Sequence, residues 1–430
     1  MSSLLIYDCT IITMRDKNDI IHNGYIYVEN GKIVDLGPIN KMPEIYKSAE
    51  LVYRMNGKIV FPGFINLHTH LSLYPIRMLS ISSNLDRWIN DVAWPYEKNL
   101  PPRISYYASK LSLYTMLKKG VIGVADMHFN MEHVISAINE AGVYANVSVA
   151  IMGKGVYDDY KIALNDNLKL AEKAATNPKI KVSLGPCTLR SLDKDALEDV
   201  SEKAREKKLG IHIHVSEVED DVKHVKEKYG MLPVELLKSL GLLGEDTILA
   251  HCVWCSQKEL HLIKKSNASI ALCPVTNIIM GSGWPPIADI LSMGINAGFG
   301  TDVSPHQEIL EEAKLTCYNV RLLHNVVLDD YEILKMLTRN SALALGFKDR
   351  IGVLDKGFSA TMVIIDNLNV SSWSPLGMYY RELVHGTYNV ETVIVNGEVL
   401  VDYGEVLTIG EEECIRAKEE ILNYTSKVYA

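Results

Sequence analysis

Residues 60–70 read VFPGFINLHTH, a short apolar run that ends with two histidines. Seven more runs of this kind follow, each succeeded by sequence of helical character: GVIGVADMH (120–128), YANVSVAIM (144–152), IKVSLGPC (180–187), GIHIHVSE (210–217), DTILAHC (246–252), ASIALCP (268–274) and NAGFGTD (296–302). Buried strands that alternate with helices predict a parallel sheet covered on both faces. Eight such units over roughly 290 residues favour a closed (β/α)8 barrel of the TIM type, with an open doubly wound sheet as the alternative.

The two ends of the chain differ from this pattern and are typical of β structure. Residues 1–60 contain strand-like runs and the hairpin dipeptide Asn30-Gly31. Strand-like sequence returns after the barrel, before a terminal helix near residues 411–428. We therefore expect an α/β protein in which residues 61–354 form the barrel. Residues 1–60 and 355–430 are expected to combine into one small β-sandwich domain.

Composition narrows the class of protein. Of the 430 residues 47% are hydrophobic and 23% are charged, and the formal net charge of −9 argues against nucleic acid or an anionic membrane as a partner. We see neither an apolar run long enough to span a bilayer nor a basic secretory leader at the start. Seven cysteines spread along the chain do not suggest a disulfide framework, so we expect a cytoplasmic protein.

Polar residues close several of the predicted barrel strands, where barrels of this type carry their chemistry. His68 and His70 close the first strand on one face, and His214 closes the fifth. Asp302 closes the eighth strand, where a buried carboxylate is costly unless a cation or a donor pairs with it. Three histidines and an aspartate predict a site for a divalent metal ion, with zinc favoured and iron or manganese as alternatives.

Three other polar residues lie beside this set. His212 shares a face with His214 one layer deeper, so we expect a core histidine there. Glu217, three residues after His214, is placed to act as a general base for water activated by the metal. His251 closes the sixth strand. The fourth strand does not end in a lysine that could bridge a second metal, so we expect one ion per chain.

Taken together, these motifs resemble the amidohydrolase superfamily, in its branch of aromatic-amine deaminases and triazine hydrolases. The resemblance covers nearly the whole chain and rests on the strand-end motifs quoted above together with two later segments. These segments are CPVTNIIMGSGWPPI (273–287), the loop after the seventh strand, and LTRNSALALGFKDRIGVLDKGFSATMVIID (337–366), the return to the small domain.

The resemblance implies a role for each strand-end residue. His68, His70, His214 and Asp302 are implied to bind the metal, and Glu217 to carry a proton from water to a ring nitrogen. His251 is implied to orient the attacking water or polarise the reacting group, and Asp302 also to accept a proton. The implied reaction converts an aminated nitrogen heterocycle into its oxo form and releases ammonia.

Within this branch the sequence is most similar to 5-methylthioadenosine/S-adenosylhomocysteine deaminases. Glu97 matches the carboxylate that those enzymes use to hold ribose hydroxyls, and Trp94 is expected near the mouth of the site. Cys187 stands where those enzymes have a histidine that contacts the purine, although a thiol is a poor hydrogen-bond donor. Arg190, or Lys161, is the candidate to meet a substrate carboxylate, and a surface position is expected for His306.

Several alternatives remain at this point. Guanine, cytosine, a pterin or a chlorinated triazine could be the substrate on the same scaffold. Hydrolysis of a cyclic amide is disfavoured because related barrels with that activity usually hold two metals on a lysine. A catalytically inactive barrel that serves as a binding module is opposed by the intact polar set. The sequence does not determine the oligomeric state, and a homo-oligomer is one option by analogy with relatives, which are commonly dimers or tetramers.

Overall fold

The computed structural model describes residues 3–153, 156–157, 159–366 and 378–429. The strands in these residues are β1 (Ser3–Ile12), β2 (Ile20–Glu29), β3 (Lys32–Pro38), β4 (Leu51–Arg54), β5 (Ile59–Phe61), β6 (Phe64–Thr69), β7 (Val121–His128), β8 (Tyr144–Ile151), β9 (Ile180–Pro186), β10 (Gly210–Val215), β11 (Thr247–His251), β12 (Ser269–Leu272), β13 (Ala297–Phe299), β14 (Met362–Asp366), β15 (Asn389–Val395), β16 (Glu398–Asp402) and β17 (Glu405–Val406).

Helices follow most of the barrel strands. They are α1 (Leu85–Arg87), α2 (Trp94–Glu97), α3 (Pro102–Leu117), α4 (Met131–Ala141), α5 (Tyr160–Ala174), α6 (Lys194–Lys207), α7 (Glu219–Tyr229), α8 (Pro233–Ser239), α9 (Gln257–Ser266), α10 (Pro274–Ile279), α11 (Ile287–Ser292), α12 (Ile309–His324), α13 (Asp330–Leu337), α14 (Arg339–Leu345), α15 (Tyr379–His385) and α16 (Glu411–Val428). A 3-10 helix (Leu71–Ser82) and a π-helical segment (Trp88–Ala93) lie between β6 and α2. None of the helices in the described residues is long and apolar enough to cross a membrane.

Strands β6 to β13 form the predicted parallel barrel, each paired with the next in chain order. The ring is completed where the last strand meets the first, because the Asp302 N–H donates a hydrogen bond of 2.9 Å to the carbonyl oxygen of His68. A parallel bridge between Thr69 and Asp302 lies at the same point. The predicted (β/α)8 fold is therefore confirmed, and the open doubly wound sheet is wrong.

The remaining strands form one mixed sheet of nine strands, with the order β17-β16-β15-β14-β5-β1-β2-β3 and β4 beside β1. The N- and C-terminal segments meet in the antiparallel pair of β5 and β14. Both segments also contribute to a second apolar core, which includes Leu4, Ile26 and Ile364. The predicted hairpin turn is present, with positive φ at Asn30 and Gly31. Residues 367–377 of the expected small domain lie outside the described part of the chain.

The last helix, α16, packs against α3 of the barrel, and the two helices share the buried cation of Lys110. This ammonium group contacts Glu413 of α16 and lies 2.6 Å from the carboxylate of Glu140. Further along α16 the Tyr424 hydroxyl donates a hydrogen bond to the carbonyl oxygen of Tyr96 in α2. The C-terminal helix thus braces the connection between the first barrel strand and α3.

Gly300 allows the last barrel strand to approach the first, and this leads to a stability prediction. A Cβ atom at Gly300 would lie 2.6 Å from the His68 Cβ atom and 2.8 Å from its backbone nitrogen and oxygen. Because backbone cannot move aside at a barrel seam, we expect Gly300→Ala to destabilise the fold by about 1–3 kcal/mol or more. Thermal or denaturant unfolding would measure the loss.

Gly244 provides the matched control for this substitution. A Cβ atom at Gly244 would meet no heavy atom within 4 Å, and its φ is not in the left-handed region. Gly244→Ala should therefore unfold like the unsubstituted protein or at a slightly higher temperature. Equal unfolding of the two variants would contradict the proposed seam.

Candidate active site

Four predicted residues converge at the carboxyl ends of the barrel strands. The Oδ1 atom of Asp302 lies 3.2 Å from Nε2 of His70 and 3.5 Å from Nε2 of His68. The Nε2 atoms of His70 and His214 are 3.4 Å apart. Ligand atoms of His68, His70 and His214 all lie within 4.8 Å of one another, as do those of His68, His251 and Asp302.

Backbone carbonyls fix the orientation of two of these rings. Nδ1 of His70 lies 2.6 Å from the carbonyl oxygen of Met127, and Nδ1 of His214 lies 2.8 Å from that of Cys187. Because a carbonyl oxygen only accepts hydrogen bonds, Nδ1 of each ring carries the hydrogen. The Nε2 atoms of His70 and His214 therefore face the centre of the cluster, which is the usual arrangement of metal-binding histidines.

His68 supports the same interpretation. Its Nδ1 atom lies 2.9 Å from Nε2 of His212, which is fully buried below the cluster, where a core histidine was expected. Its Nε2 atom is buried and has no hydrogen-bond partner among the described residues. A buried nitrogen without a partner is costly unless something accepts its lone pair. The nitrogen and carboxylate donors gathered here fit one divalent cation such as zinc.

The electrostatics of the cluster favour a positive charge beside Asp302. Burial lowers the pKa of His214 to about 3 and holds that of His68 well below its ordinary value, so both rings are neutral. Burial also opposes ionisation of Asp302, but the adjacent rings of His68 and His70, with Nε2 3.5 and 3.2 Å from Oδ1, hold its pKa well below the usual range. For His70, contact with Asp302 overcomes burial and raises the pKa to about 9. The carboxylate thus attracts a cation, whether a proton or a metal ion.

Glu217 lies directly beside this cluster. Its Oε2 atom is 3.6 Å from Nε2 of His251, and the Ser282 hydroxyl lies 3.3 Å from Oε1. Burial raises the pKa of Glu217 to about 7. The backbone N–H of Glu217 donates to the carboxylate of Asp221, which holds the turn after β10 in place. A carboxyl group with this pKa can both accept and donate a proton near neutral pH.

His251 is held by its partners and by an unusual backbone conformation. Its Nδ1 atom lies 2.9 Å from Oδ1 of Asn277, in α10 after the seventh barrel strand. The φ angle of His251 is 74°, a region that residues other than glycine adopt rarely and mostly at functional sites. The ring is therefore fixed in place, with its Nε2 atom toward Glu217.

The cluster forms part of the wall of a cavity of about 410 Å³. Five of the residues predicted to contact the substrate also line this cavity: Trp94, Glu97, Cys187, Arg190 and His251. Much of the remaining wall is apolar and comes from Leu73, Trp88, Met127, Phe129, Met152 and Met280. The cavity suits a flat heterocycle with a polar edge at the histidine cluster.

The residues predicted to contact the substrate differ in exposure and in the partners that they already have. Arg190 lines the cavity, but its Nε atom lies 2.6 Å from the carboxylate of Asp221. Trp94 is 44% exposed, which fits a position at the mouth. The side chain of Lys161 is exposed and that of His306 half-buried, and neither lines the cavity. Nδ1 of His306 instead accepts a hydrogen bond from the backbone N–H of Glu308.

Sequence reasoning did not single out several residues that build the site. His128 lies at the end of the second barrel strand and contacts Glu97, while Asn277 and Ser282 hold His251 and Glu217. His128 had a usable signal, because a histidine that closes an apolar barrel strand is placed like His70 and His251. Asn277 and Ser282 lie in the quoted segment 273–287, but no role was assigned to either of them. The roles of Asn277 and Ser282 depend on the path of a loop, which local sequence does not encode.

Comparison with known proteins agrees with this architecture. The model of the amidohydrolase family matches residues 59–400. A 5'-deoxyadenosine deaminase from Methanobrevibacter smithii is 33% identical, over 96% of this chain and 95% of its own length. A 5-methylthioadenosine/S-adenosylhomocysteine deaminase from Halothermothrix orenii is 32% identical, over 97% and 98% respectively.

The structure also resembles a zinc-bound adenosine deaminase from Xanthomonas campestris. The TM-score is 0.92 and the identity 21%, with 99% of this chain and 98% of the other covered, so the two proteins share their fold. The family match spans most of the chain, including both the barrel strands and the strands that return to the small domain. The chain therefore belongs to the amidohydrolase family.

Proposed function

We propose that this protein is a metal-dependent hydrolytic deaminase that removes the amino group of an adenosine-type nucleoside and releases ammonia. The observation that carries the proposal is the convergence of His68, His70, His214 and Asp302 with a proton-exchanging Glu217 at one end of a cavity. The substrate class is supported by full-length relatives named 5'-deoxyadenosine deaminase and 5-methylthioadenosine/S-adenosylhomocysteine deaminase.

The metal site would be formed by the nitrogen atoms of His68, His70 and His214 and the carboxylate of Asp302. One zinc ion per chain suits this donor set, and iron or manganese would also be compatible with it. When bound, such an ion supplies Lewis acidity, which makes water a nucleophile near neutral pH. The second layer formed by His212 and by the carbonyl groups of Met127 and Cys187 keeps the ligand rings aligned.

Protein side chains would carry the protons of the reaction. Glu217 removes a proton from the attacking water and delivers it to a ring nitrogen beside the amino-bearing carbon, which weakens the aromatic resistance to attack. His251, fixed by Asn277, orients the water, and Asp302 accepts its remaining proton. The water oxygen bonds to the ring carbon, the proton held by Asp302 passes to the amino group, the bond from carbon to that group breaks, and the group leaves as ammonia. The oxo heterocycle remains.

The far part of the cavity would hold the sugar. Glu97 lies in the wall with a carboxylate that can accept hydrogen bonds from two ribose hydroxyls. Trp94 and the apolar wall would cover the sugar and the 5' substituent, and Cys187 would contact the purine edge. Arg190 remains our candidate for a substrate carboxylate, at the expense of its ion pair with Asp221.

The substrate class can be tested by ammonia release from a panel of purified compounds. We expect release from adenosine, 5'-deoxyadenosine, 5-methylthioadenosine or S-adenosylhomocysteine, because the cavity offers a carboxylate for a diol. Guanine, cytosine and isoxanthopterin, which lack a sugar, should react at least about tenfold more slowly. Release only from a free base, or chloride release from a triazine, would contradict the adenosine-type assignment and leave the metal site standing.

The metal requirement can be tested on the same preparation. We expect about one zinc, iron or manganese per chain by elemental analysis, and loss of ammonia release after chelation that returns with added zinc. His70→Ala removes one ligand, so the metal content should fall well below that of the unsubstituted protein. His306→Ala, a histidine outside the cavity, should keep its metal. Full activity after verified metal removal would overturn this part of the proposal.

The proton-transfer role of Glu217 can be separated from metal binding. Glu217→Gln keeps the size of the side chain but cannot exchange the proton, so kcat should fall by roughly 10²–10⁴-fold with the metal content unchanged. Glu219→Gln changes an exposed glutamate on the first turn of α7 and serves as the matched control. Unchanged turnover of Glu217→Gln would remove the proposed proton shuttle.

A further inference from the structure

A buried histidine in the cavity wall contacts the carboxylate assigned to the sugar. His128 is the last residue of β7, is 2% exposed, and places Nε2 2.9 Å from Oε1 of Glu97. An ionised carboxylate only accepts hydrogen bonds, so Nε2 of His128 must carry the hydrogen and donate it. The result is a charge-assisted hydrogen bond, which is stronger and more directional than one between neutral groups.

Glu97 depends on this contact for its orientation. It belongs to the four-residue helix α2 in the connection between β6 and α3, whereas the proposed metal ligands and His251 lie at the ends of barrel strands. Among the described residues, His128 is the only hydrogen-bond donor to the Glu97 side chain. That side chain is 10% exposed and lines the cavity. A rigid strand thus holds a carboxylate that is carried by a less regular segment.

His128 has a feature that packing alone does not explain. Its Nδ1 atom is buried and has no hydrogen-bond partner among the described residues. A buried nitrogen without a partner is unfavourable, so an apolar side chain of the same size would suit a purely structural position better. Within the described ranges, the one hydrogen bond that the His128 side chain makes is with Glu97, and this contact therefore accounts for a histidine at the end of β7.

A second link keeps the two residues in register. Asn130, just after β7, donates hydrogen bonds from Nδ2 to the carbonyl oxygen of Leu100 at 3.0 Å and to Oγ of Ser105 at 3.1 Å. Leu100 in turn donates its backbone N–H to the carbonyl oxygen of Glu97. The loop after β7 and the segment after α2 are therefore tied together, and the contact of His128 with Glu97 rests on a fixed backbone.

We propose that His128 is a positioning residue that holds Glu97 for the vicinal hydroxyls of the ribose, and that this pair sets the preference for nucleosides with an intact 2',3'-diol. The inference rests on the proposed function. His128 donates to one carboxylate oxygen, so the remaining acceptor capacity of Glu97 is directed at the cavity. A carboxylate held in one orientation loses less conformational freedom when the substrate binds, and this tightens binding.

The test compares adenosine with 2',3'-dideoxyadenosine, which has the same base and lacks both hydroxyls. We expect His128→Phe to raise the KM for adenosine roughly 10- to 100-fold, because the hydrogen bond that fixes a charged group is lost. Its kcat should change less than about threefold, because the proton-transfer groups are untouched. The preference for adenosine over the dideoxy compound should fall by the same factor as the affinity for adenosine.

Two further variants distinguish positioning from packing. His128→Gln can place an amide N–H near the position of Nε2, so it should recover most of the affinity for adenosine. In a Glu97→Ala background, His128→Phe should add less than about threefold, because its effect passes through Glu97. Thermal unfolding of each variant would check the fold. If the phenylalanine variant does not fold, His128→Asn takes its place, because the amide of asparagine is too short to reach Glu97. The comparison is then between His128→Asn and His128→Gln.

The outcomes separate this inference from the proposed function. Equal losses on both nucleosides, or additive losses in the double variant, would overturn the role of His128 and leave the deaminase assignment intact. An unchanged preference for adenosine over 2',3'-dideoxyadenosine in His128→Phe would also overturn the role of His128. An unsubstituted protein that releases ammonia from neither nucleoside but from another heterocycle would overturn the proposed function, and this inference with it.

Discussion

Asp302 lies where the last barrel strand meets the first, and its two polar groups act in different directions. Its N–H donates to the carbonyl oxygen of His68 and closes the ring, while its carboxylate faces the Nε2 atoms of His68 and His70. A buried carboxylate is expensive unless a positive charge compensates it. The residue that closes the ring thus also carries the buried carboxylate that a cation would compensate, so the barrel seam and the proposed chemistry meet at one position.

The barrel strands also fix the positions of the other proposed site residues. The proposed metal ligands lie at or directly beyond the ends of β6, β10 and β13, and His251 closes β11. The backbone of a barrel strand is fixed on both sides by its neighbours, so these side chains keep their separation without help from a ligand. The groups that hold them, such as the carbonyl groups of Met127 and Cys187, are also at strand ends. Hydrolytic chemistry needs this precision, because small displacements of reacting groups are costly.

The sequence predicted the features that depend on hydrophobic periodicity and on polar residues at strand ends. All eight barrel strands, the hairpin at Asn30-Gly31 and the polar residues that meet at the cluster follow from local pattern and from the rule that parallel strands share one active edge. The contact of His128 with Glu97 could not be predicted, because it joins a strand to a short helix in a separate loop. The hydrogen bond between His251 and Asn277 could not be predicted either, because it also joins a strand end to a short helix elsewhere in the chain. Pairs of this kind depend on how loops cross the barrel mouth.

The C-terminal helix α16 supports the cavity wall, although it is far from that wall in sequence. Segment 88–97 contributes Trp88, Trp94 and Glu97 to the cavity, yet its backbone is held by the C-terminal helix. Hydroxyl groups of Tyr424 and Tyr429 on and just after α16 donate to the carbonyl oxygens of Tyr96 and Val92. The histidine cluster lies at the ends of barrel strands alone, whereas the wall proposed to hold the sugar is also held by the C-terminal helix. Substitutions in the wall or in α16 can therefore change the proposed substrate preference while the strand-end cluster stays unchanged.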